Sequence, residues 1–126
     1  MARQIMWRDL KNHVPPHEVQ KKDETDLRIE LVNGSIIALR GADNPDSLRG
    51  VGLDFLVIDE VQDVNPETWT AVLRPALADK NGRAVFCGTP KGYNWFYDLF
   101  SGANEQPDWQ SFRFKTTEGG RVAPSE

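Results

Sequence analysis

The sequence predicts an α/β domain: a parallel sheet with flanking helices, and beside it a β-hairpin. Three observations carry that expectation. Two short apolar runs, Phe55-Leu56-Val57-Ile58 and Ala84-Val85-Phe86-Cys87, flank a stretch of helical periodicity, the layout of a strand, a crossover helix and a parallel strand. Leu27, Ile29 and Leu31 alternate with Arg28, Glu30 and Val32 and run into Asn33-Gly34, the pattern of a strand entering a hairpin turn. The 126 residues are enough for one domain, at roughly 150 per domain, and not for two.

From the start of the chain, Arg3 to Val14 is predicted as a helix. Met6, Trp7, Leu10 and Val14 recur at helical spacing, and Pro15-Pro16 ends the pattern. No capping residue precedes it, which fits a chain cut inside a longer protein. His17 to Asp26 reads as a polar connector. The strand at Leu27 to Val32 should turn at Asn33-Gly34 through a two-residue turn with positive dihedrals and return over Ser35 to Leu39. Gly41 to Gly52 is rich in Gly, Asn, Asp and Pro and reads as a loop.

Phe55 to Ile58, four apolar residues in a row between Asp54 and Asp59, predicts a strand covered on both faces. Asn65-Pro66 then opens a helix with an N-cap and a proline at the first helical position. Trp69, Val72, Leu73, Ala76 and Leu77 form its apolar stripe. Pro75 is expected to kink or split it near Ala71, because the ring meets the carbonyl four residues back. Asn81-Gly82 stops it. Beyond the second apolar run, Tyr93 to Phe100 reads as a helix, Trp109 to Lys115 as an edge strand and Gly119 to Glu126 as a disordered end.

Composition narrows the function classes. The 39% hydrophobic and 27% charged residues are those of a globular chain. No apolar run approaches the roughly 20 residues of a membrane span, and Met1 to Leu10 is too charged for a signal peptide, so no membrane association and a cytoplasmic location are expected. The single cysteine, Cys87, excludes an internal disulfide framework and reads as a small core residue. The net charge of −4 argues against a nucleic-acid binder that uses its whole surface.

The chemistry is concentrated at two strand ends. Asp59 and Glu60 follow the first apolar run directly, at the carboxyl end where open parallel sheets place their ligands. Nucleotide hydrolysis needs two such groups, one carboxylate to hold Mg2+ and one to orient the attacking water. The alternative is structural: with Asp63 and Glu67, these acids would favour the dipole of the next helix. Gly88-Thr89-Pro90-Lys91-Gly92 leaves the neighbouring strand, with small residues that admit a phosphate and a hydroxyl, Thr89, that can bond to it. Arg49, in Leu48-Arg49-Gly50, has the chemistry of a charge-stabilising finger, and Arg40 is a weaker candidate. No segment matches the P-loop G-x-x-x-x-G-K-[ST]. His13 and His17 are separated by Pro15-Pro16 and read as solvent-exposed rather than as metal ligands. Trp69, Trp95, Tyr97 and Phe100 read as core.

These residues, in order, resemble a known family. Ile29-Glu30-Leu31, Asn33-Gly34-Ser35, Gly41-Ala42-Asp43-Asn44, Ser47-Leu48-Arg49-Gly50, the run Phe55 to Glu60, Trp69, Leu73-Arg74-Pro75-Ala76-Leu77 and Gly88-Thr89-Pro90-Lys91-Gly92 are similar to the large terminase subunit of tailed bacteriophages, from about Ala2 to Lys115. The resemblance implies part of a RecA-like P-loop NTPase domain of the additional-strand-glutamate type, over residues 1–118, in a motor that cuts concatemeric DNA and drives it into the procapsid. It implies Asp59 as the Walker B aspartate for Mg2+, Glu60 as the carboxylate acting on water, Gly88-Thr89-Pro90 as the coupling motif, and Arg49 as a finger presented to the adjacent subunit. ATP and Mg2+ are the implied cofactors of the intact protein. Double-stranded DNA, the small terminase subunit and the portal protein are the implied partners, in the cytoplasm of the bacterial host. In that family the Walker A segment lies upstream and a nuclease domain lies downstream.

Two other readings stand beside it. Asp59-Glu60-Val61-Gln62-Asp63 also resembles the D-E-x-Q-D motif of superfamily 1 helicases, whose glutamine senses nucleotide. Those proteins continue with a G-D-x-x-Q loop, where this chain has Gly88-Thr89-Pro90. A noncatalytic module that docks to other motor subunits is the third reading. With the carboxylate half of a nucleotide site and no P-loop, the 126 residues are expected to bind no nucleotide tightly and to hydrolyse none. Titration calorimetry with Mg-ATP checks this, and the expected result is no micromolar binding. An exposed sheet edge is expected to favour self-association, seen in light scattering as a mass above the monomer.

Overall fold

A computed structural model describes residues 2–43, 48, 50–89 and 94–114. Their apolar side chains gather into two clusters, one under an antiparallel hairpin sheet and one under a parallel strand pair.

The first cluster forms because Trp7 and Leu10 of helix α1 (Ala2–His13) meet inward side chains of two short strands and their flanking residues. Trp7, Leu27 and Ile29 are buried, ringed by Leu10, Val14, Val19, Leu31 and Leu39. Met6, on the predicted stripe, is exposed. Strand β2 (Arg28–Leu31) is central and pairs antiparallel with β1 (Val19–Asp23) and β3 (Ile36–Ala38).

The polar connector expected at 17–26 therefore contains a strand. Its exposed Gln20, Lys21 and Lys22 hide the two-residue period, and they suit an edge, where charged side chains oppose further pairing. The hairpin between β2 and β3 is present, but its turn differs from the two-residue form. The Gly34 N–H donates to the Leu31 carbonyl at 2.9 Å and the Leu31 N–H to the Ser35 carbonyl at 2.8 Å, so three residues make the loop. Only Gly34 takes a positive φ, 93°, while the Asn33 side chain accepts the Ser35 N–H at 2.9 Å.

Between β1 and β2, the Asp23 carboxylate accepts the Asp26 N–H at 2.8 Å and the Thr25 N–H at 3.0 Å. Those bonds close the turn that delivers Leu27 to the core in a left-handed conformation (φ 52°). The bond from Asp26 is the main reason the Asp23 carboxyl lies below its ordinary value. Glu24, in the same turn, accepts the indole N–H of buried Trp7 and pairs with Lys11 at 3.0 Å. Both lower its pKa, the indole bond most.

The second cluster is built on strands β4 (Phe55–Ile58) and β5 (Arg83–Phe86), parallel and in register from Phe55 opposite Arg83 to Ile58 opposite Phe86. The parallel pair and its crossover are as the spacing predicts. The expected cover on both faces is not. Leu56, Ile58, Ala84 and Phe86 face the helices, whereas Phe55 (58% exposed), Val57 (55%) and Val85 (43%) line an open face. Apolar runs announce a strand, yet cover needs a packed element on each side, and the described helices lie on one.

The crossover carries the answer to Pro75. The helix opens at Asn65, whose side chain accepts the Glu67 N–H at 3.0 Å. It widens into a π-helical stretch over Thr68–Leu73 and closes to the α-helix α2, Arg74–Lys80. The Arg74 N–H reaches back five residues to the Trp69 carbonyl, so a wider turn accommodates the proline ring where a kink or split was expected. Trp69, Val72, Leu73, Ala76 and Leu77 are buried, as the stripe predicts.

Asn81 ends the helix in the left-handed conformation, and the Gly82 N–H bonds the Leu77 carbonyl at 2.8 Å. A Cβ at Gly82 would stand 2.4 Å from the Leu53 carbonyl oxygen, so only glycine lets the chain pass here into β5.

Helix α3 (Trp95–Ala103) is capped by the Asn94 side chain, and Trp95 donates to the Val64 carbonyl at 2.9 Å. It buries Phe96, while Tyr97, expected in the core, is exposed. The edge strand expected from Trp109 onward is not formed among the described residues up to 114. Trp109 instead packs as a ring against Trp69 and Phe86, with centroids 6.2 and 5.7 Å away, and Phe112 and Phe114 stay exposed. The tail expected at 119–126 lies outside the described residues.

Replacing Trp7 by alanine is expected to cost about 3–5 kcal/mol by emptying the first cluster, measured by urea unfolding. Because Asp23 and Glu24 hold their charged forms more tightly folded than unfolded, their stabilisation is complete above the ordinary carboxylate range. It drains as pH falls from that range down through their lowered folded values. Thermal melts should show Glu24→Gln less stable than the parent at neutral pH, with the gap closing in acid.

Candidate functional site

The site begins with a main-chain clamp. Beyond the paired strands, the Cys87 N–H donates to the Ile58 carbonyl at 2.9 Å and the Cys87 carbonyl accepts the Val61 N–H at 3.0 Å. These two bonds carry the parallel ladder past β4 and hold the Asp59-Glu60 turn beside Gly88-Thr89. Cys87 itself is exposed, on the open face with Val85. The core position expected for it would need an element covering that face.

Four of the five residues singled out in the sequence meet here. Glu60 sits at φ 51°, ψ 44°, a left-handed conformation that costs a residue with a Cβ about 1–2 kcal/mol. Its N–H is held by Asp59 Oδ1 at 2.9 Å. The chain then turns through a short 3-10 segment, Val61–Asp63, which buries Val61 and Gln62. The Gln62 amide bridges the two strand ends, Nε2 donating to Glu60 Oε2 at 2.9 Å and Oε1 accepting the Thr89 N–H at 3.1 Å. Gly88 makes room for it, since a Cβ there would lie 2.2 Å from Gln62 Oε1.

Asp59 and Glu60 open onto a depression of about 410 Å3, lined also by Asp43, Asp63, Asn65 and Thr68. A smaller depression of about 160 Å3 on the hairpin sheet involves Arg28 and Glu30, which already pair with each other. The acidic side of the site thus faces open space, while its amide link faces the core.

Among the described residues, no three His, Cys, Asp or Glu side chains converge on a metal cage. Asp59 is nonetheless the donor type that Mg2+ uses beside nucleotide phosphates, where one or two carboxylates and water complete the shell. The fifth residue, Arg49, lies outside the described residues, as do Pro90, Lys91 and Gly92. Arg40 is engaged elsewhere. It donates to the Asp26 carbonyl at 2.7 Å and pairs with the Asp26 carboxylate at 3.2 Å, pinning the end of β3 to the turn before β2. His13 and His17 are both exposed, as expected.

Comparison with known proteins gives the family. The profile of a family described as "Terminase large subunit, T4likevirus-type, N-terminal" matches residues 8–119. The chain belongs to this terminase large-subunit family. The large terminase subunit of Escherichia phage T5 is 34% identical over 113 residues, covering 85% of this chain and 26% of the phage protein. That of Thermus virus P23-45 is 38% identical over 88 residues, 58% of this chain and 18% of the other. The chain therefore spans only a minor part of these relatives.

In structure it is similar to the ATPase domain of the large terminase of Thermus phage P74-26, in an arginine-to-alanine variant. The TM-score is 0.71 and the identity 28%, over 93% of this chain and 61% of that one. The terminase resemblance seen in the sequence is thus borne out, along with a mixed α/β fold containing a parallel sheet, and the superfamily 1 helicase alternative is not favoured. No helix of the described residues is long and apolar enough to cross a membrane.

Gly88→Ala tests the packing of this terminase segment. The new methyl should displace the Gln62 amide rather than unfold the chain, costing about 1–2 kcal/mol in urea unfolding, with the Thr89 amide losing its protection from hydrogen exchange.

Proposed function

We propose that this chain supplies the carboxylate and coupling half of the ATP site in a phage DNA-packaging motor. Residues 1–118 would then be part of a RecA-like P-loop NTPase domain of the additional-strand-glutamate type. The observation that supports this most directly is the Cys87 clamp, which sets two acids and a small glycine-containing loop side by side at the carboxyl ends of parallel strands.

In this reading Asp59 is the metal-holding carboxylate. Bound Mg2+ neutralises charge on the phosphates. Glu60 orients and accepts a proton from the attacking water, its side chain held by Gln62. Thr89 and Gly88 bring main chain and hydroxyl to the terminal phosphate. Arg49 acts as a finger toward the neighbouring subunit of the ring. ATP with Mg2+ is the cofactor of the complete site, and double-stranded DNA, the small terminase subunit and the portal protein are the partners, in the bacterial cytoplasm.

The test supplies a P-loop-bearing segment ahead of this chain and follows phosphate release. ATPase activity should appear. Glu60→Gln should lower kcat by about 10²–10⁴ with little change in Mg-ATP binding, and Asp59→Asn should weaken the Mg2+ dependence. Absence of any turnover in the joined protein, together with retained binding to portal or small subunit, would favour a noncatalytic docking module instead.

A further inference from the structure

The Gln62 side chain is drawn into the core beside Glu60, 8% exposed, and both ends of its amide are engaged. Its orientation follows from chemistry. The Thr89 main-chain N–H can only donate, so the amide oxygen must face it, and the amide nitrogen then faces the Glu60 carboxylate, which can only accept when ionised. A reversed amide would set donor against donor and acceptor against acceptor.

Two further features fit this bridge. Glu60 holds a left-handed backbone that its own residue type disfavours, so its carboxylate needs an external tether to be aimed reproducibly. Position 88 has no Cβ, and a Cβ there would occupy the space of the amide oxygen.

We propose that Gln62 is a positioning residue that couples the two halves of the site, aiming the Glu60 carboxylate according to where the Gly88-Thr89 main chain stands. The role rests on the reading of Glu60 as the water-orienting group, but the link itself does not require hydrolysis to be observed. A shift of the Thr89 N–H pulls on the amide oxygen, the rigid amide plane turns with it, and the nitrogen moves relative to Glu60. Loop position and carboxylate aim thus become one variable.

The experiment is a double-mutant cycle read by NMR on the isotope-labelled 126-residue chain. In the parent, Glu60→Ala should shift the Thr89 amide resonance and lower its exchange protection by about fivefold, although the two residues share no direct bond. In Gln62→Met, close in volume but unable to bridge, the same Glu60→Ala change should leave Thr89 unmoved. Gln62→Glu guards against loss of folding. It keeps an oxygen for the Thr89 N–H while removing the donor to Glu60, so Thr89 should stay protected. Equal responses of Thr89 to Glu60→Ala with and without Gln62 would overturn the proposal.

A second arm uses the joined protein carrying a P-loop segment. Gln62→Met should lower kcat by about tenfold with KM for ATP nearly unchanged. A loss confined to KM, or none, would also count against it. If the joined protein turns over no ATP at all, the functional reading fails, while the NMR cycle still decides the link.

Discussion

Two hydrogen bonds to the main chain of Cys87 organise this molecule's chemistry. Parallel strands alone would leave Asp59-Glu60 and Gly88-Thr89 to diverge as separate loops. With the Cys87 N–H on Ile58 and its carbonyl on Val61, the exit from β4 must turn beside the exit from β5. The left-handed Glu60, the buried Gln62 and the close approach at Gly88 are consequences of fitting that turn into limited space. Because the clamp uses only backbone atoms, it is insensitive to the side chain at position 87. Its demands fall on the neighbours, above all on a glycine at 88.

Much of the fold was legible where local preference and tertiary burial agree. The stripe from Trp69 to Leu77 has one helical period and one apolar face, and it packs as it reads. Asn65-Pro66 and Asn81-Gly82 mark the ends of that helix because capping is local chemistry. Strand β1 escaped notice because Gln20, Lys21 and Lys22 carry no apolar period, and an edge strand with one neighbour needs none. Trp109 misled in the opposite way. Its aromatic spacing suggests a strand, but the ring finds Trp69 and Phe86, so side-chain packing rather than a ladder fixes the segment. Phe55 and Val57 show that consecutive apolar residues predict a strand but not what covers it.

The site was legible in a different sense. Acids directly after an apolar run and a glycine loop after the next one are visible in order, and topology brings them together. What spacing does not disclose is the wiring between them. Gln62 stands two residues beyond Glu60 but twenty-seven before Thr89, and no local pattern joins those distances. The available signal was a glutamine between Val61 and Asp63 at a position that the turn carries inward. Arg40 illustrates the converse, an arginine with suitable chemistry whose guanidinium is committed to Asp26.

The exposure of Cys87 also gives the molecule a built-in reporter. It is the chain's single thiol, and it stands one residue before the glycine on which the amide bridge depends. A thiol-reactive probe attached there would label one place only, with no engineered cysteine and no competing thiol. Its spectrum or distance to a second marker would then follow any movement of the β5 exit.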